Sequence, residues 1–171
     1  ELHLHSRAST DTGSWFLNRG ALPESYTSPE DAYRAAKAKG MHYVALTDHN
    51  TLAGVAEIAH LPDVIVGVEV TSGFPGEEDA QVHVLVWGLD DAEWAEVDCL
   101  RPNLFEMLDY VRAVDLPHSL AHPLHRVGVH QHPALAAQAC NLLDGLDHPG
   151  FVVDPLHAHE RDVVVDQALE V

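Results

Sequence analysis

The residues of this sequence that could do chemistry are histidines spaced like metal ligands. His3 and His5 form an H-x-H pair near the start of the chain, and His157 and His159 form a second pair near its end. Side chains alternate along a β-strand, so both imidazoles of such a pair point to one face. That spacing suits a metal ion held by two histidines, although exposed strand histidines show it too.

Further candidate ligands stand where apolar runs end. In parallel α/β proteins the working residues lie just past the carboxyl ends of the strands. Glu69 follows the apolar run 64–68, where burying an unpaired carboxylate would be energetically costly. Because basic residues are scarce in this chain, a metal-bridging role for Glu69 is favoured over a salt bridge. The other such side chains are Asp48 and His49 after run 43–46, His122 after run 118–121 and, inside run 81–88, His83. Asp48 would equally serve as a helix N-cap, and His83 as a core histidine.

The composition also points to bound cations. The chain has 14 histidines, and its 27 acidic residues against 9 lysines and arginines give a formal net charge of −18. Metal ions would offset part of that charge, whereas duplex nucleic acid and anionic membranes would be repelled. Cys99 and Cys140 are too few for a disulfide scaffold, and without a visible signal peptide or membrane-spanning run we expect a cytoplasmic location. The chain starts at Glu1 instead of Met, which favours a larger multidomain chain.

Hydrophobic runs alternate with helical segments along all 171 residues, which predicts a single α/β domain with parallel strands. Ser28 and Pro29 supply an N-cap and a first-turn proline for a helix that Gly40 ends. The stretch 73–79 has the composition of a loop. The predicted strands are 2–5, 42–46, 64–70, 81–88, 117–121 and 151–153, and the predicted helices are 28–40, 52–60, 103–114, 132–143 and 160 onward.

In their order, these motifs resemble those of the polymerase and histidinol phosphatase (PHP) domain family. H-L-H-S, T-D-H-N, G-V-E, V-H-V and A-H-P match over residues 1 to about 126. The stretches W-F-L-N-R-G-A-L-P-E-S-Y and R-P-N-L-F-E-M-L-D-Y are similar to a bacterial branch sometimes joined to glycosyltransferases. The resemblance implies a distorted (β/α)7 TIM-like barrel, here abbreviated at its carboxyl end. It also implies a cleft with two or three Zn, Mn or Fe ions and metal-dependent phosphoester hydrolysis.

The resemblance further implies a metal-binding role for each matching residue. The implied ligands are His3 and His5 for a first metal, Glu69 as the bridge to a second, His83 and His122 for that second metal, and His49 with Asp11 for a third. Two positions depart from the family pattern. Its first motif begins D-x-H, where this chain has Glu1, and its last motif is S-D-x-H, for which His157-Ala158-His159 is the nearest match. Asp154, ahead of His157, competes for that place.

Two close divalent ions can hold a bridging hydroxide that attacks phosphorus, which requires no serine or cysteine nucleophile. We expect Glu69 and Asp48 to be catalytic residues and an arginine to bind the substrate phosphate. Arg126 ranks first because it lies on the loop beyond a strand end, with Arg7 and Arg19 as alternatives. The expected substrate is a small phosphorylated molecule or a nucleotide.

Two other functions compete with phosphoester hydrolysis. An amidohydrolase-like metal hydrolase also uses H-x-H in a barrel, but Lys37 and Lys39 both fall in a predicted helix and do not suit its carbamylated lysine. A non-catalytic or weakly active metal-binding domain of a larger protein is the third hypothesis, which the altered last motif keeps open. Metal content and turnover of p-nitrophenyl phosphate with added Mn distinguish the first from the third.

Overall fold

The computed structural model of the chain describes residues 1–9 and 25–121 and shows a mixed α/β fold. In chain order the elements are α1 (Pro29–Ala38), β1 (Val44–Leu46), α2 (Ala53–Ile58), β2 (Val64–Phe74), β3 (Glu77–Trp87), α3 (Asp91–Leu100), α4 (Leu104–Ala113) and β4 (His118–Leu120). None of these helices is long and apolar enough to cross a bilayer. The elements predicted after residue 121 lie outside the described residues.

The four strands form one sheet in the order β1–β2–β3–β4. β1 and β2 are parallel, with Val44 opposite Val64, as the sequence predicts. β2 and β3 are antiparallel, with Glu69 opposite Leu85, and β3 and β4 are antiparallel as well. The expectation of parallel strands throughout is therefore wrong here. Within the described residues the sheet is open and does not close into a barrel.

The connection between β2 and β3 explains their antiparallel pairing. Only Pro75 and Gly76 separate the two strands, and so short a connection can join antiparallel neighbours but not parallel ones. Gly76 has a φ of +82°, a left-handed conformation that glycine adopts without steric penalty. The stretch 73–79, predicted as a loop, is therefore the tip of a hairpin and the strand ends beside it.

Local capping sets where the helices begin. Ser28 accepts a hydrogen bond from the backbone amide of Asp31, so α1 starts where the sequence predicts it. Asn103 caps α4 by accepting a hydrogen bond from the backbone amide of Phe105, which confirms the helix predicted at 103–114. Helix α3 was not predicted, although Asp90 and Glu93 form a complete capping box at its start.

The sheet buries one face under helices and places polar side chains on the other. Val68 and Val84 pack against α4 residues such as Leu108 in the main hydrophobic core, and a smaller core lies under α1 and α2. Because side chains alternate along a strand, Glu69 of β2 and His83 of β3 lie on the face opposite that core. The packed core thus supports the strands from behind and holds these two side chains at fixed positions.

The first residues of the chain do not form the strand predicted at 2–5. Ala45 N donates to the Glu1 carbonyl at 2.9 Å, and Thr47 N donates to the Leu4 carbonyl at 2.8 Å. These two hydrogen bonds lay the segment alongside β1. They bring the H-x-H pair to the sheet without a continuous ladder.

Candidate metal centre

A buried carboxylate lies at the centre of a histidine cluster. Glu69 is fully buried in β2, and its Oε2 atom is 2.7 Å from His3 Nε2 and 3.0 Å from His5 Nε2. Its Oε1 atom is 2.7 Å from His83 Nδ1, while His49 Nε2 lies 3.8 Å from Oε2. The amino-terminal segment, the loop after β1 and strand β3 therefore all deliver imidazoles to one side chain.

The ligand atoms form two groups that could each hold a metal ion. One group is His3, His5 and Glu69, the other is His49, Glu69 and His83, and the ligand atoms of each group lie within 4.8 Å of one another. Atoms bound to a single Zn²⁺ at about 2.0–2.2 Å stand about 3.3 Å apart. The ligand atoms of the first group are 2.7–3.0 Å from one another, close to that spacing. Imidazole and carboxylate ligands suit Zn, Mn and Fe. The donor set fits divalent metals, and the two groups share Glu69.

The surroundings of Glu69 keep its carboxylate ionised. Burial raises the pKa of Glu69, but hydrogen bonds with His3, His5 and His83, together with the charge of His49, hold that pKa far below its usual range. A buried anion is costly unless positive charge accompanies it. Divalent ions in the two groups would supply that charge and leave the imidazoles neutral, which is the state that binds metal.

Asp48 holds the turn that follows the H-x-H pair. Its carboxylate is buried and accepts hydrogen bonds from Ser6 N at 2.6 Å and from Ser6 Oγ at 2.8 Å. Gly54 of α2 leaves the necessary space, since a Cβ there would overlap both Asp48 Oδ2 and Ser6 Oγ. The structure thus gives Asp48 contacts that position the amino-terminal ligands, and its predicted catalytic role stays a prediction.

The loop after β1 is fixed on both sides of His49. Ser9 Oγ accepts a hydrogen bond from His49 N at 3.1 Å and lies 3.3 Å from His5 Nδ1. On the other side, Asn50 Oδ1 accepts from Thr71 N at 2.8 Å, and Asn50 Nδ2 donates to Thr71 Oγ1 at 3.1 Å. His49 is therefore held between the amino-terminal segment and β2.

The structure places another predicted residue, Arg7, in an ion pair. Its Nη2 atom donates to both carboxylate oxygens of Glu57, at 3.1 Å and 2.8 Å, and both side chains are half exposed. Its role toward substrate stays a prediction. The remaining predicted site residues lie outside the described residues: Asp11, Arg19, His122, Arg126, Asp154, His157 and His159.

Three side chains that support the site were missed by sequence reasoning. Ser6 directly follows the H-x-H pair, so its position was a usable signal. Ser9 bonds a residue 40 positions away, and Trp87 Nε1 donates to the Leu2 carbonyl at 2.9 Å across 85 positions. No local spacing marks such contacts, because they exist only once the chain has folded.

Comparison with known proteins gives short matches. No family model matches this chain. An uncharacterized protein of Methanocaldococcus jannaschii is 38% identical over 73 residues, which cover 43% of this chain and 40% of the relative. The matched region is thus less than half of either protein.

Two solved structures are similar to part of the chain. The first is an amidohydrolase from Chromobacterium violaceum, solved with bound sulfate and no metal, which is 25% identical. The match covers 58% of this chain and 31% of the amidohydrolase, with a TM-score of 0.43. The second is a proposed metal-dependent phosphoesterase from Bifidobacterium adolescentis, which is 24% identical. The match covers 57% of this chain and 30% of the phosphoesterase, with a TM-score of 0.40. Scores this low do not establish a shared fold, so we infer function from the side chains of the site.

Proposed function

We propose that this chain is a PHP-type metal-dependent phosphoesterase that hydrolyses a small phosphorylated substrate with two or three divalent ions. The observation that carries the proposal is the sharing of the Glu69 carboxylate. Its Oε2 atom faces His3 and His5, and its Oε1 atom faces His83. A buried carboxylate that meets separate imidazoles on each oxygen is suited to bridge two ions. A distorted (β/α)7 barrel, of which the described sheet would be a part, belongs to this proposal.

The charge of the site favours an anionic substrate. Two divalent ions, when bound, would supply a water that is nucleophilic at neutral pH and would offset charge on the phosphoryl oxygens. Glu69 stays anionic, and metal-binding imidazoles are neutral, so the described ligands of two ions carry a single negative charge. The large excess of positive charge suits a phosphoryl dianion better than a neutral amide.

The chain's own residues would orient the ligands before substrate arrives. Asp48 accepts a hydrogen bond from Ser6 N, and Ser9 Oγ contacts both the His49 amide and the His5 ring. These contacts fix the backbone beside the imidazoles, and at His5 the ring as well. Such preorganisation means that little rearrangement accompanies the reaction. Because Arg7 already pairs with Glu57, we retain Arg126 as the first candidate for the substrate phosphate.

Metal content and phosphatase activity test the proposal together. The chain is purified without chelator, its metals are identified by mass spectrometry, and turnover of p-nitrophenyl phosphate is measured with added Mn. We expect at least two ions per chain and metal-dependent turnover. His83→Ala should remove both an ion and the activity, whereas His60→Ala, an exposed histidine outside the cluster, should change neither.

Two results would contradict the proposal in different ways. Metal binding without turnover of any phosphoester would favour the non-catalytic metal-binding domain. Turnover that survives complete removal of metal would exclude the metal-dependent reaction itself.

A further inference from the structure

An indole from the far strand of the hairpin holds the start of the H-x-H segment. Trp87 is the last residue of β3, and its Nε1 atom donates a hydrogen bond to the Leu2 carbonyl at 2.9 Å. That carbonyl belongs to the peptide group that joins Leu2 to His3. Because the peptide group is planar, fixing the carbonyl also fixes the direction in which the chain enters His3.

The indole reaches the segment because a glycine lies beneath it. Gly67 is directly opposite Trp87 in the β2–β3 pairing. A Cβ on Gly67 would stand 2.9 Å from Trp87 Cδ1 and 3.0 Å from Thr47 Cγ2, closer than carbon atoms pack. The indole edge that carries Nε1 therefore passes over Gly67, and any larger residue there would displace it.

The middle residue of the H-x-H segment is held by Thr47, the residue that directly follows β1. Thr47 N donates to the Leu4 carbonyl at 2.8 Å, and Leu4 N donates to Thr47 Oγ1 at 3.3 Å. His3 thus lies between two anchored residues, Leu2 and Leu4. The imidazoles of the second ligand group are not next to the Leu2 carbonyl, because His83 belongs to β3 itself and His49, whose amide donates to Ser9 Oγ, directly follows Asp48 beside β1.

We propose that Trp87 is a positioning residue for the first ligand group, His3, His5 and Glu69, and sets its metal affinity through the Leu2 carbonyl. The inference rests on the proposed metal centre. A ligand that must be ordered when the ion binds costs free energy, and an anchored backbone removes that cost beforehand. Residues that orient metal ligands from outside commonly change affinity by about 10–100-fold when they are replaced.

Zinc titration of metal-free protein against a chromophoric chelator tests this inference without substrate. Trp87→Phe keeps an aromatic ring but removes the donor, and we expect one of the binding steps to weaken about 10–100-fold while another stays unchanged. Gly67→Ala displaces the indole and should weaken the same step. Trp94→Phe is the matched control, because Trp94 packs against the main core behind the sheet and should leave every step unchanged.

The melting temperature of each metal-free variant separates positioning from general stability. The inference is overturned if Trp87→Phe loses no more metal affinity than other variants that are destabilised to the same extent. It is also overturned if Trp87→Phe weakens all binding steps alike. An unchanged affinity in both Trp87→Phe and Gly67→Ala would overturn it as well. If the unaltered chain binds no Zn²⁺, the metal centre itself is refuted, and the role of Trp87 with it.

Discussion

At the scale of single residues, Glu69 is the side chain whose loss should do most damage. It is the one residue common to both ligand groups in the described part of the chain. Glu69→Gln keeps the shape and removes the charge that two cations share. We expect loss of at least one ion and a fall in phosphatase rate of more than about 100-fold, beyond what residues outside the ligand set cost. Metal analysis and the rate with p-nitrophenyl phosphate measure both.

Glu57→Gln is the control for that experiment. It also removes a carboxylate, but from a half-exposed pair with Arg7 that is worth about 0–1 kcal/mol. Metal content and rate should stay normal. Normal stoichiometry and rate in Glu69→Gln would refute its assignment as the bridge.

The central residues of the histidine cluster could be predicted from the sequence because each carries a local signal. Glu69 ends an apolar run, and the H-x-H pair has strand spacing, so the structure brings together residues that the sequence had already singled out. Ser9 and Trp87 gave no such signal, because a serine in a loop and a tryptophan in a strand have many ordinary roles. Their function follows from contacts between distant positions, which only the fold defines.

At the scale of elements, Gly54 allows helix α2 to pack closely against Asp48 and Ser6. Glycine inside a helix normally costs about 1 kcal/mol relative to alanine, so Gly→Ala usually stabilises. Here the new Cβ would overlap Asp48 Oδ2 and Ser6 Oγ. We expect Gly54→Ala to lower the free energy of unfolding by about 1–3 kcal/mol, as overpacking does, and to weaken metal binding through the displaced Ser6 turn. Urea unfolding and zinc titration measure the two effects.

Ala56→Gly provides a matched control in the same helix. Ala56 is exposed, so this change costs about 1 kcal/mol of helix propensity without contact to Asp48. Its metal affinity should be normal. The positioning role of Asp48 fails if Gly54→Ala binds metal as tightly as Ala56→Gly at similar stability.

Strand β4 carries a pH-dependent contribution to stability at His118. Its Nδ1 atom is 2.8 Å from the Leu116 carbonyl, and its buried Nε2 atom has no hydrogen-bond partner among the described residues. Burial lowers the pKa of His118 below its usual value of about 6.5, and the nearby charge of Arg112 lowers it further, against the opposing effect of the Leu116 carbonyl. The imidazole is therefore neutral in the folded protein at neutral pH.

The sign of the pH effect follows from the lowered pKa. Below about pH 6.5 the unfolded chain takes up a proton at His118 that the folded chain does not, so stability falls as the pH falls through that value. Above about pH 7.5 the contribution is flat. We expect His118→Gln to be less sensitive to pH between 7.5 and 5.5 in urea unfolding, and exposed His60→Gln to behave like the unaltered chain. Equal pH dependence in all three would contradict a neutral buried His118.

The elements themselves show which structural features a sequence pattern can predict. Helices α1 and α4 have capping residues and were predicted near their observed bounds. The apolar run 64–70 was recognised as a strand, but such a run has the same composition whether its neighbours are parallel or antiparallel. The antiparallel direction of β2 and β3 is set by the two-residue turn at Pro75 and Gly76. The residues that flank this turn have the composition of a loop, so the sequence did not mark it as a hairpin.

At the scale of the whole molecule, the acidic charge opposes folding unless cations are present. A formal net charge of −18 makes the compact state repel itself. The buried Glu69 adds an internal anion, whose pKa is held low by hydrogen bonds with His3, His5 and His83. Divalent ions in the two ligand groups would reduce the net negative charge of the chain and would compensate the charge of the Glu69 carboxylate. Bound metal should therefore raise the stability of the folded chain as well as support its activity.

Metal removal should therefore lower the melting temperature, and added Mn or Zn should restore it. A ligand that binds only the folded chain at a concentration 100 times its Kd stabilises by about 2.7 kcal/mol, which corresponds to about 5–10 °C for a chain of this size. Differential scanning calorimetry before and after EDTA measures the shift. Glu69→Gln should show a smaller shift because it retains less metal. An unchanged melting temperature, with metal analysis proving that the ions had left, would mean that the ions bind the folded and the unfolded chain equally well, and would contradict a metal centre built by the fold.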